Sequence, residues 1–110
     1  MARSQYLGSL EQIVLLALVR LRDNAYGLTV RRDISERTGR DISIGAVYAT
    51  LERLEKNGYV TSFTGAPTAE RGGRRKRYFR IQAGGQRALE RSQAALRHMS
   101  AGLDKKWELT

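Results

Sequence analysis

The order of patterns along the chain predicts a mainly α fold with a small β-hairpin: a winged helix-turn-helix followed by a C-terminal dimerisation helix. Three observations carry this. Three helical patterns follow one another up to Gly58, the last two joined by a short loop, as in a helix-turn-helix. The period then changes to two short runs rich in branched and aromatic residues, Val60-Thr61-Ser62-Phe63 and Tyr78-Phe79-Arg80-Ile81, separated by a Gly-rich segment. From Ala83 a helical pattern returns, and Leu89, Leu96, Met99, Leu103 and Trp107 recur near a heptad seam that suits pairing with a second copy. The expected division is residues 1–81 for the winged unit and residues 82–110 for the dimerisation helix.

Taken in order, Met1 to Gly8 reads as a loose arm, and Ser9-Leu10-Glu11-Gln12 as a capping box opening a first helix that runs to about Arg22. That helix is apolar on most of its circumference, hence central to the core. Asn24 is the expected cap of a second helix from about Ala25. On it Tyr26, Val30 and Ile34 share one face, while Arg31, Arg32, Asp33 and Glu36 point to solvent. Gly39 should stop it. Ser43 then caps a third helix with Ile44, Val47, Leu51 and Leu54 on a buried stripe, ended by Gly58. The last helix is expected from Ala83 to about Trp107, its start weakened by Gly84 and Gly85.

Composition bounds the chemistry. With 110 residues, 41% hydrophobic and 28% charged, the chain is one small domain with a modest core. There is no Cys, so neither a disulfide scaffold nor a thiolate metal site is available, and a cytoplasmic setting is expected. The apolar run from Ile13 to Val19 is too short for a membrane span and is flanked by Glu11 and Arg20. Catalysis would need a nucleophile with its base, paired carboxylates or a metal set. The sequence offers one isolated His, His98, and acids scattered among basic neighbours, so no enzyme, no cofactor and no metal are expected.

The net charge is +9, and its placement matters more than its size. Arg71, Arg74, Arg75, Lys76, Arg77 and Arg80 lie within ten residues that contain no acid. Such a patch is the footprint of a polyanion binder, because each neutralised phosphate releases condensed counterions. An anionic membrane would call for a basic amphipathic helix, which Gly72 and Gly73 oppose. If about four to six of these side chains meet phosphate, affinity should fall with a log-log salt slope on the order of −4 to −5.

The third helix carries no net charge between Ser43 and Gly58. Opposite its apolar stripe stand Gly45, Ala46, Ala49, Arg53 and Lys56, with Tyr48 and Glu52 at the margin. A run of small residues where long charged ones are usual suits close approach to a DNA groove. An ordinary amphipathic surface helix is the plainer reading, and the adjacent basic loop favours DNA. Ser43, Gly45, Ala46, Tyr48, Ala49 and Arg53, together with Arg71, Arg74, Arg75, Lys76 and Arg77, are therefore the candidate DNA-binding residues. Tyr48 can pack in the core or offer a hydroxyl to phosphate, and Arg53 can pair locally or reach phosphate. With few base-edge groups available, sequence choice would rest on Ala46 and Ala49 against thymine methyls and on groove shape. A winged-helix module that binds RNA or a protein partner is the alternative.

Several of these fragments together resemble the PadR family of bacterial transcriptional regulators. They are Leu7-Gly8 with Leu10-Glu11, Ala25-Tyr26-Gly27, Arg37-Thr38-Gly39, Ser43 with Gly45-Ala46-Val47-Tyr48, Thr50-Leu51 with Arg53-Leu54-Glu55, and Arg71-Gly72-Gly73-Arg74 with Lys76-Arg77-Tyr78. The resemblance implies a homodimeric winged-helix repressor. Its third helix would lie in the major groove and its wing along the adjacent backbone or minor groove. The length is similar to the short form with a single C-terminal helix, and Gln82 stands where the family more often has a Thr able to cap that helix. In some similar regulators an aromatic on the last helix lines an apolar cavity for flat hydrophobic effectors. Met99 and Trp107 are thus candidate ligand contacts, with plain packing of the dimer end as the other reading of Trp107. Leu89, Leu96, Met99, Leu103 and Trp107 are the expected dimer interface.

Overall fold

A computed structural model of the protein describes residues 6–65 and 75–103. The elements run α1 (Ser9–Leu21), α2 (Gly27–Thr38), α3 (Ile44–Lys56), β1 (Val60–Thr64), β2 (Arg77–Ile81) and α4 (Ala83–Ser100), with a 3₁₀ turn at Arg22–Asn24. The mainly α architecture with one antiparallel hairpin is therefore the one the periodicities predict.

α1 is the central helix, with Val14, Leu15, Ala17 and Leu18 buried against α2, α3, β2 and α4. Its cap is Gly8 rather than the expected Ser9. The Gly8 N–H donates to Glu11 Oε1 at 2.8 Å, and Gln12 Nε2 donates to the Leu7 carbonyl at 3.0 Å. Starting one residue earlier places Glu11 three residues after the cap, where its carboxylate can reach back to the cap N–H and the helix dipole favours it. Of the expected loose arm, residues 1–5 lie outside the described residues, and its end is tied down. The Leu7 N–H donates to Ser92 Oγ of α4 at 2.8 Å, and Leu7 packs against the core.

α2 starts at Gly27, two residues later than expected, because residues 25 and 26 are used otherwise. The Ala25 carbonyl accepts from the Phe79 N–H at 2.9 Å and Tyr26 bridges Tyr78, so an extended piece is added beside the hairpin. Asn24 consequently does not cap. Instead Thr29 Oγ1 accepts from the Tyr26 N–H at 3.0 Å and its hydroxyl lies 2.6 Å from the Asn24 carbonyl. Val30 and Ile34 are buried as expected, and Gly39 ends the helix in the left-handed region at φ 73°. Asp33 departs from the expected solvent position. It is half-buried, 3.3 Å from Arg20 Nε of α1 and 3.4 Å from Arg37 Nε.

The hairpin pairs Val60 with Ile81 through Thr64 with Arg77. Val60, Ser62 and Thr64 alternate onto the same face as Arg77, Phe79 and Ile81, and Phe79 at its centre is only 1% exposed. The other face carries Phe63 stacked on Tyr78 at 5.6 Å, with Tyr26 edge-on to Tyr78 at 5.4 Å.

α4 begins at Ala83 after Gln82, which occupies the cap position without a side-chain cap bond. Gly85 explains the weak start. It is buried, and a Cβ there would collide with the Tyr59 carbonyl oxygen and stand 3.1 Å from Ile81 Cγ1. The helix ends at Ser100, short of the expected Trp107. Ala101 is extended and Gly102 adopts φ 77°, a helix stop that the heptad arithmetic passed over. Leu103 therefore lies beyond the helix, and Trp107 lies outside the described residues. Leu89 is also corrected. It is 5% exposed within its own subunit's core, whereas Leu96 and Met99 are 61% and 79% exposed.

Candidate nucleic-acid interface

The turn between α2 and α3 is fixed by side chains. Arg31, read from sequence as solvent-facing, donates from Nε to the Ile42 carbonyl at 2.7 Å, and its Nη2 lies 3.5 Å from Asp41 Oδ1. Thr38 Oγ1 donates to the Ile34 carbonyl and accepts from the Arg40 N–H. These bonds hold the loop that leads into α3.

α3 itself is capped at both ends. Ser43 Oγ accepts from the Ala46 N–H at 3.1 Å, which leaves its hydroxyl hydrogen available to an outside acceptor. At the other end the Tyr59 N–H donates to the Leu54 carbonyl and the Gly58 N–H to the Glu55 carbonyl, with Gly58 at φ 80°. This is a Schellman arrangement, and it turns the chain directly into β1. Val47, Thr50, Leu51 and Leu54 are buried, while Gly45, Ala49, Glu52, Arg53 and Lys56 are exposed.

The candidate residues on α3 are thus brought to one side, with two refinements. Ala46 is half-buried and packs against the core, so only part of it faces outward. Tyr48 is half-buried with its ring laid over Gly27 at the start of α2, where a Cβ would collide with the ring. Gly27 therefore provides the seat for the end of the Tyr48 ring and its hydroxyl. Arg53 is exposed, and its Nη2 lies 3.4 Å from Thr50 Oγ1, a weak local contact that a phosphate could displace.

Of the basic loop, Arg71 and Arg74 lie outside the described residues. Arg75 is exposed. Lys76 is half-buried with Nζ 5.1 Å from the Tyr26 ring centroid, and Arg80 lies over Phe63 at 4.9 Å. Arg77 is engaged within the protein. It donates from Nη2 to Glu55 Oε1 of α3 at 2.5 Å, while Ser62 Oγ donates to Glu55 Oε2, also at 2.5 Å. Glu55 and Gly27 are the two positions that sequence reasoning passed over. Glu55 lies one turn after Leu51, so an acid at the edge of the buried stripe was the available signal for a required cation partner. Nothing in the sequence placed Tyr48 over Gly27.

Among the described residues no group of His, Asp and Glu is placed to hold a metal ion, and no helix is long and apolar enough to cross a membrane. A groove of about 460 Å³ runs between α1, β2 and α4, with Leu16, Val19, Ile81 and Leu89 among its lining residues and Arg22, Asp23, Arg80 and Glu90 around it.

A helix-turn-helix with an exposed small-residue face, followed by a two-stranded wing with cations at its loop end, defines the winged-helix class of DNA-binding regulators. The profile of the Transcriptional regulator PadR-like family matches residues 15–91, which spans helix-turn-helix, wing and the first half of α4. The chain belongs to that family. A comparison with curated proteins found no match. Among solved structures, it resembles a PadR family transcription regulator from Clostridium difficile, at 20% identity and TM-score 0.75 over 92% of this chain and 100% of that one. A PadR-like transcriptional regulator from Bacillus cereus matches at 19% identity and TM-score 0.73, over 92% of this chain and 93% of that one. A transcriptional regulator from Clostridium thermocellum is 27% identical, with TM-score 0.69 and 86% of both chains covered.

Proposed function

We propose that the protein is a cytoplasmic repressor that binds a pseudo-palindromic DNA operator as a homodimer. The observation that carries this is the juxtaposition of the small exposed face of α3, Gly45 and Ala49 with part of Ala46, and the adjoining basic wing. α3 would sit in the major groove, with Ser43, Tyr48 and Arg53 meeting phosphate at its margin and the wing cations Arg71, Arg74, Arg75 and Lys76 following the backbone.

The second copy would pair through α4. Its buried residues end at Ser92, and beyond them Leu96 and Met99 stand exposed on a helix that leaves the domain. The radius of gyration is 16.4 Å, against about 13 Å for a compact domain of this length. The exposed α1 residues Leu16 and Val19 beside the groove offer the surface such a partner helix would cover. In this arrangement residues 1–81 act as the reading unit. Residues 82–110 act as the pairing unit, although the first half of α4 shares the core. A small hydrophobic effector bound at the pairing surface would release the protein from DNA, with Met99 and Trp107 as its candidate contacts.

The test is competition. A labelled duplex bound by the purified protein should be displaced by excess unlabelled duplex and not by single-stranded RNA of the same length. Displacement by RNA at equal or lower concentration would favour the RNA-binding alternative.

A further inference from the structure

We infer that Glu55 is a positioning residue: it fixes the wing against the recognition helix, and removing its negative charge weakens specific DNA binding. The inference rests on the DNA-binding reading above.

The Glu55 carboxylate joins three elements. It projects from the last turn of α3 with its side chain 32% exposed, accepts from Ser62 on β1 and accepts from Arg77 on β2. Ser62 and Arg77 lie on opposite strands but on one face of the hairpin. A single side chain therefore ties both strands of the wing to the helix whose exposed side carries Ala49 and Arg53. The Arg77 guanidinium is held further by lying 4.9 Å over the ring of the buried Phe79. Charge-assisted hydrogen bonds of this kind have fixed geometry as well as energy. The backbone turn at Gly58 sets where β1 starts. Glu55 sets how the strands lean toward the end of the hairpin where the exposed Arg75 stands. The angle between wing and α3 decides whether both can meet one duplex together.

This role makes a prediction opposite in sign to charge counting. An acid in the middle of a basic, DNA-facing region repels phosphate, and deleting it would also release Arg77 to serve as another phosphate contact. Counterion release alone therefore says that Glu55→Gln binds every duplex more tightly. A positioning role says that it binds the operator less tightly, because wing and helix lose their common register, while binding to unrelated DNA is kept or raised.

The experiment uses the full chain and two duplexes of equal length, one recovered by its affinity for the protein and one of unrelated sequence. Glu55→Gln should lose about ten-fold in affinity for the recovered duplex without losing affinity for the unrelated one. Glu55→Arg should lose more, and combining it with Arg77→Glu should restore most of that loss. Thermal melting of each variant separates a folding defect from a positioning one. Operator binding by Glu55→Gln equal to or tighter than that of the natural protein overturns the inference. So does an equal loss on both duplexes, or a charge-swapped pair no better than Glu55→Arg alone. If the natural protein binds neither duplex, the DNA-binding reading itself fails, an outcome visible before any variant is made.

Discussion

Ala49 is exposed on α3 and is not part of the core packing, so enlarging it changes the proposed reading face with little effect on folding. Ala49→Leu should abolish specific DNA binding while stability stays within about 0.5 kcal/mol, as read by titration of the operator beside a denaturant melt. Operator binding at natural strength by this variant would remove α3 from the groove. Ala46, equivalent to Ala49 in the sequence pattern, is not an equally clean probe. Its half-buried side chain touches the core, and a larger residue there would disturb packing and reading together. At Gly85 the local rule and the tertiary structure disagree. Helix propensity favours Ala over Gly by about 1 kcal/mol. Yet a Cβ at this position meets the Tyr59 backbone, which cannot swing aside as a side chain would. Gly85→Ala should therefore destabilise the protein by about 1–3 kcal/mol in urea titration. Stabilisation would show that α4 leaves room for a Cβ beside the Tyr59 backbone.

At the scale of elements, α4 divides at Ser92 into a half that belongs to the core and a half that leaves it. Leu89→Ala, in the first half, should cost the fold about 2–5 kcal/mol. Leu96→Glu, in the second, should leave the fold intact and dissociate the proposed dimer, a difference that sedimentation equilibrium resolves at micromolar concentration. A monomeric natural protein would contradict the pairing role of α4. The sequence pattern made the four helices and two strands of the described residues legible, since 3.6-residue and two-residue periods report which side of each element is buried. It did not separate Leu89 from Leu96, because one apolar stripe on α4 serves two different surfaces. It also overran the helix end, because an a/d count is blind to the left-handed conformation that Gly102 adopts. The start of α2 was misplaced for a non-local reason. Ala25 and Tyr26 pair with Phe79 and Tyr78, far away in the chain, and local capping signals carry no trace of that pairing. Within the candidate site, exposure of Gly45, Ala49 and Arg53 was readable from helical spacing. The tie between Glu55, Ser62 and Arg77 needed the hairpin register before it could be seen.

For the whole molecule, affinity and fit come from different places. The net charge of +9 is concentrated in the wing loop, while Ser43 to Gly58 carries no net charge. Under the proposed function, attraction to phosphate would be supplied by the wing, selection by the shape of α3, and the doubled contact by the second copy. Arg77 was counted among the phosphate-binding cations by its place in the basic run, yet it is held by Glu55, so the wing is partly built from its own charge. The most direct test of this arrangement is a footprint of the purified protein on duplex fragments recovered by their affinity for it. The account predicts two protected half-sites related by approximate twofold symmetry, their centres about one helical turn, roughly 10 bp, or a multiple of it apart. A single unsymmetrical protected site, or protection that spreads along any duplex without preference, would contradict it.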